Sequence, residues 1–172
     1  MSKAWPVPGI DPAGTLAENA RKILAVRTAE YFSYSPIVDI PEAVEQLHAL
    51  RIAAKRLRYT LELFSDVFGQ PGEALIDQVK AVQEDLGEIH DHDVRLDLVA
   101  AELNELDHDS NAASNGHDVA DPRIGLNALA DQERAARQQR YDAFRARWHE
   151  VASPMRSALV DLSSLVIGAA PA

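Results

Sequence analysis

The run Leu47-His-Ala-Leu-Arg-Ile-Ala-Ala-Lys-Arg-Leu-Arg-Tyr-Thr-Leu-Glu-Leu-Phe64 most limits the folds open to this chain. At about 100° per residue, Leu50, Ala53, Ala54, Leu57, Leu61 and Phe64 fall on one stripe, which predicts an amphipathic helix packed against a core. His48, Arg51, Lys55 and Arg58 recur at steps of three and four and form a second stripe, displaced by roughly a quarter to a third of a turn. Cations beside a packing seam are half sheltered by neighbouring helices. A row of them lines a groove in which several donors hold one anion. The ordinary reading of such residues is solvated charge whose aliphatic stems cover apolar surface. Against it, no acid interrupts the row before Glu62, although the chain carries a formal net charge of -10. Arg56 lies off the row and joins it as a further cation of the same helix.

That acidic balance argues against a general nucleic-acid binder, which spreads positive charge over a broad surface to neutralise many phosphates. An anion must instead bind locally, and acidic charge elsewhere repels one that misses the row. A chain of 172 residues suits one domain with a proper core. The absence of cysteine excludes disulfides, thiolate metal sites and a cysteine nucleophile. No stretch approaches the roughly 18 apolar residues of a membrane span, and the first ten residues lack a signal-peptide core. The expectation is a soluble cytoplasmic protein with no membrane partner.

Along the chain, Pro6, Pro8 and Pro12 predict an extended lead-in over residues 1–12. A first helix is expected from about Ala13, with Leu16, Ala20, Ile23, Leu24, Arg27 and Tyr31 at helical spacing, ending before Pro36. Pro41 is suited to the first position of the second helix, capped by Asp39 or its neighbour, and the helix then runs to about Phe68. Gly69-Gln-Pro-Gly72 predicts a stop and reversal. Leu75, Val79, Val82, Leu86 and Ile89 then alternate four-three-four-three, the pattern of a bundle seam. Gly87 within that helix points to a close approach or an uncovered backbone.

Asp93 extends the seam. A carboxylate in an apolar row needs a partner, and a cation from the second helix is expected. Asp93, with Asp91, is read as a brace for the basic row, and Lys80 as a further cation near it. His90-Asp-His-Asp93 invites a metal reading, but successive helical residues diverge by about 100° and cannot close on one ion. Asp107 to Pro122 reads as a loop, with His108 and His117 solvated. An arginine-rich fourth helix carries Tyr141, Phe144 and Trp148, with Arg137, Arg140 and Arg147 on a loose face. Ser153-Pro154 predicts the start of a last helix.

The expected fold is all-α, an antiparallel bundle of four to five helices over residues 13–167, with the second, third and fourth helices long and a flexible loop at about 107–122. His-x-x-Arg-Ile-x-x-Lys-Arg-Leu-Arg-Tyr, from His48 to Tyr59, closely resembles the signature helix of CHAD domains, the conserved histidine α-helical domain. Leu86-Gly-Glu-Ile-His-Asp-His-Asp-Val94 resembles the Leu-Gly-x-x-x-Asp-x-Asp-Val segment that follows it in that family. The resemblance implies a helical domain that binds inorganic polyphosphate without catalysis, metal or cofactor. It also implies association with polyphosphate granules. Carried onto this chain, the binding set is His48, Arg51, Lys55, Arg56 and Arg58, supported by Asp91, Asp93 and Lys80. Family members typically hold two related bundles, each with its own His-x-x-Arg helix. This chain has one, so a shorter groove, a degraded one, or one completed in a homodimer follows. A metal-dependent phosphohydrolase using His48 or the His90 to Asp93 segment, and a scaffold bundle meeting an acidic partner, are the alternatives.

Overall fold

The computed structural model describes residues 3–110 and 121–164. It consists of α1 (Leu16–Phe32), a short 3-10 turn (Ser35–Ile37), α2 (Val44–Leu63), α3 (Ser65–Ser110) and α4 (Pro122–Ser164). The all-α bundle is as expected, and there is no strand among the described residues.

The lead-in is tied down against α1. Lys22 Nζ donates to the Gly9 carbonyl at 2.7 Å, and Asn19 Nδ2 donates to the Asp11 carbonyl at 2.7 Å. The helix begins at Leu16, not Ala13, because Thr15 and Glu18 form a reciprocal capping box that satisfies two amide donors.

Pro41 does not open α2. The preceding connector is held by α4: Tyr141 donates its hydroxyl to the Val38 carbonyl at 2.8 Å, and Arg137 Nη2 donates to the Pro41 carbonyl at 3.0 Å. Asp39 caps nothing and instead accepts from Arg145 Nε at 2.6 Å and His149 Nε2 at 2.9 Å. Those two donors, arginine first, hold its carboxyl below the usual carboxylate range.

At its far end α2 stops at Leu63, five residues before the expected limit. Phe64 leaves helical geometry at φ -110 and ψ 28, and its ring packs edge-on against Phe68, centroids 6.3 Å apart. The reversal finishes at Gly69, whose φ of 56 a residue with a Cβ rarely adopts. Pro71 follows in the first turn beyond it, where a missing amide hydrogen costs nothing.

The core joins all four helices: Leu24 and Tyr31 of α1, Leu50, Leu57 and Leu61 of α2, Val79, Leu86 and Ile89 of α3, and Phe144 and Leu159 of α4. The stripes expected on α2 and α3 are buried, except Phe64, which is partly so. Leu16, expected on the stripe of α1, is instead 64% exposed, and Leu98 of α3 and Ile124 and Leu129 of α4 are 65%, 71% and 41% exposed. α3 and α4 outrun α1 and α2, so neither of those two helices covers the far part of their hairpin.

α4 is one helix through Pro154 rather than two. Met155, Leu159 and Leu162 continue the buried stripe of Trp148, while Pro154 faces solvent, the side on which a helix tolerates the carbonyl that the ring leaves unbonded. Of the expected loop, residues 107–110 are the last turn of α3, Pro122 starts α4, and 111–120, including His117, lie outside the described residues.

Candidate functional site

The second stripe of α2 lies along α3. His48 stacks on His90 of α3, with ring centroids 4.4 Å apart and planes inclined by 39°. One turn further, Arg51 passes over Gly87 so closely that a Cβ there would meet Arg51 Nε at 3.6 Å. Further on, Arg58 Nε donates to Gln83 Oε1 at 3.0 Å. The numbers rise on α2 as they fall on α3, so the helices are antiparallel. His90, Gly87 and Gln83 share one stripe of α3, and the same three-four-three spacing places Lys80 on it. Two matched stripes therefore face each other, His48-Arg51-Lys55-Arg58 and His90-Gly87-Gln83-Lys80, and neither contains a carboxylate.

The members of the row are not equivalent. Arg51 and Lys55 are half-buried and form no ion pair among the described residues. Arg51 Nε and His48 Nδ1 are buried without a hydrogen-bond partner among the described residues. Each such atom costs about 1–3 kcal/mol unless something from outside satisfies it. Arg58 is partly committed, since besides Gln83 its Nη1 holds Glu62 at 2.7 Å. Lys80 is 54% exposed, with Glu84 at 3.9 Å.

Arg56 leaves the set. Its Nη1 pairs at 2.7 Å with Glu30 of α1, a carboxylate only 1% exposed that also accepts from Arg27 at 2.5 Å. A buried anion needs such partners, so Arg56 braces α2 to α1, about 100° away from the row.

Asp93 is indeed half of an ion pair, but its partner is Arg137 of α4, not a cation of α2. Both side chains are 12% exposed. Since Arg137 also holds the Pro41 carbonyl, the pair fixes the entry to α2 from the side and braces the row indirectly. Asp91 does not brace it. Its side chain is exposed beside a cleft of about 270 Å³ that it shares with Glu88, His92, Arg95 and Arg140.

Two further α3 carboxylates are similarly drawn toward α4, Asp85 by Arg147 at 2.6 Å and Glu88 by Arg140 at 2.9 Å. None of these three arginines points into the row. Between Lys80 and His90 the stripe of α3 that faces α2 therefore carries no carboxylate.

Beyond His48 the character changes. A cavity of about 650 Å³ opens, walled by His48, His90, Tyr34 and Val94 and carrying the carboxylates Glu45, Asp93 and Asp97. His48 stands between this acidic cavity and the cations. Burial first, then the neighbouring His90, Arg51 and Lys55, press its pKa below the usual 6.5.

The tetrad His90 to Asp93 disperses as its spacing requires. His90 lies on His48, His92 Nδ1 meets Glu133 at 2.5 Å and Asp93 joins Arg137. Among the described residues no three His, Asp or Glu side chains are grouped to hold a metal ion. Nor is any described helix long and apolar enough to cross a membrane.

Sequence reasoning missed Gln83 and the role of His90 as parts of the facing stripe. The signal was present, because Lys80, Gln83, Gly87 and His90 repeat the spacing of the α2 row. No curated protein and no solved structure matches the chain. The matched stripes belong to the segment that a family model recognises: the CHAD domain matches residues 3–100, more than half of the chain, and the protein is a member of the CHAD family.

Proposed function

We propose that the protein binds inorganic polyphosphate, or a similar linear polyanion, in the groove between α2 and α3, and performs no chemistry on it. Membership of the CHAD family supports the ligand class. The observation that carries the reading is the pair Arg51 and Lys55: half-sheltered, without a carboxylate partner, in a chain of net charge -10. A phosphate oxygen at Arg51 Nε would satisfy a donor that no described residue reaches.

In this groove Arg51 binds through its planar fork and Lys55 as a mobile point charge. Arg58 contributes the charge that Glu62 leaves uncompensated, and His48 donates a hydrogen bond and, once protonated, adds charge. Lys80, Gln83 and the His90 ring form the opposite wall, and Gly87 keeps the floor low under Arg51.

Titration calorimetry of the full chain with long-chain polyphosphate at low salt tests this. Saturable binding that weakens steeply as salt is added is expected, because displaced counterions drive association. Absence of saturable binding refutes the reading. Release of orthophosphate from the polymer by the pure protein would contradict its non-enzymatic part.

A further inference from the structure

We infer that the groove takes a short segment, about five phosphates, and that Glu62 at one end and Glu45 with Asp97 at the other set that length. The inference rests on the polyphosphate reading and adds a limit to it. From His48 to Arg58 the two facing stripes are free of carboxylate. Ten helical rises span about 15 Å, and a linear chain with a phosphorus about every 3 Å lays about five phosphates along that distance.

Both ends are closed by charge. At the Arg58 end, Glu62 pairs with the Arg58 guanidinium at 2.7 Å and is 39% exposed, so the last cation of the row is partly neutralised and a phosphate beyond it gains little. At the other end the chain would pass the His48 and His90 rings and enter the cavity that holds Glu45, Asp93 and Asp97. Asp93 is balanced by Arg137. Glu45 and Asp97 are exposed and form no ion pair among the described residues, and they repel a polyanion at close range. Along the sides Asp85 and Glu88 are engaged by arginines of α4, and Glu84 lies 3.9 Å from Lys80. Repulsion is therefore concentrated at the ends, where it limits length, rather than along the groove, where it would weaken every contact.

Titration with linear polyphosphates of defined length reads this directly. Affinity per protein site is expected to rise at least about tenfold from tripolyphosphate to pentapolyphosphate, as added phosphates gain charge-assisted contacts. From pentapolyphosphate to chains of about fourteen phosphates, it should change by no more than about threefold after correction for the number of registers. The double variant Glu45→Gln, Asp97→Asn should restore a gain beyond five. The variant Glu62→Gln should do so from the opposite end. Continued growth of affinity with length in the unaltered protein, or variants that leave the plateau unmoved, would overturn the limit while leaving polyphosphate binding intact. Absence of binding at every length would remove the parent reading as well.

Discussion

α2 and α4 are both rich in arginine, yet they use it in opposite ways. On α4, Arg134, Arg137, Arg140, Arg145 and Arg147 each meet a carboxylate, four of them on another segment of the chain. On α2, Arg56 is spent in the same manner on Glu30, Arg58 is shared between Gln83 and Glu62, and Arg51 with Lys55 is left without an acid. The difference comes from α3, which lies between the two. Its carboxylates at 85, 88 and 93 reach α4 residues, while its stripe at 80, 83, 87 and 90 facing α2 contains none. An acidic protein can thus keep a cationic strip by turning its acids to the other side of one helix. Residue type alone does not mark a binding cation; the neighbouring helix decides.

The strongest break of this comparison is to remove each kind of cation in turn. Arg51→Ala with Lys55→Ala should lower polyphosphate affinity about a hundredfold or more, the sum of two charge-assisted contacts. Arg134→Ala with Arg145→Ala should change it by no more than about twofold, as their pairs are exposed and release no acid beside the row. Calorimetry on both variants decides, and comparable losses would erase the distinction.

Next in size is Arg56. Its loss leaves buried Glu30 with Arg27 alone, and should destabilise the fold by about 1–2 kcal/mol in urea denaturation. Polyphosphate affinity should stay within about twofold. A large loss of affinity at unchanged stability would return Arg56 to the site.

The third prediction concerns pH. His48 is held neutral by burial, with His90, Arg51 and Lys55 beside it, and faces Tyr34, Glu45, Asp93 and Asp97 across the cavity. Because its folded pKa is depressed, the unfolded chain takes up that proton first. The stability contributed by the neutral ring is present above the usual 6.5 and is lost as pH falls through and below it. A bound polyanion acts the other way, favouring the charged ring, so binding takes up a proton. Affinity should rise about threefold between pH 7.5 and about pH 5.5. The variant His48→Gln should flatten that part of the profile, and calorimetry in buffers of different ionisation enthalpy counts the proton.

The smallest effect belongs to Gly87→Ala. A methyl there makes an ordinary contact with Arg51, so the helix should gain about 0.5 kcal/mol while affinity drops by about twofold or less. Loss of binding altogether would mean that the ligand itself touches the Gly87 backbone.

Much of the fold was legible because it follows from local periodicity. The stripe from Leu50 to Leu61 and the seam from Leu75 to Ile89 are buried as read, since helical spacing alone decides which residues can share a face. Boundaries were less legible. Pro41 was expected to begin α2 and Pro154 a new helix, and neither does: Tyr141 and Arg137 hold the first connector, and the stripe from Trp148 to Leu162 carries α4 past the second.

The candidate site divides along the same line. By itself the sequence determined that His48, Arg51, Lys55 and Arg58 share a face, because they stand on one helix and the helix fixes their spacing. It also determined that Asp93 needs a cation. Only the tertiary structure decided that this cation is Arg137, that Arg56 belongs to Glu30, and that Gln83 and His90 stand opposite the row. Pairing of charges between helices depends on register and on which faces meet, and neither is written in the order of residues along any one helix.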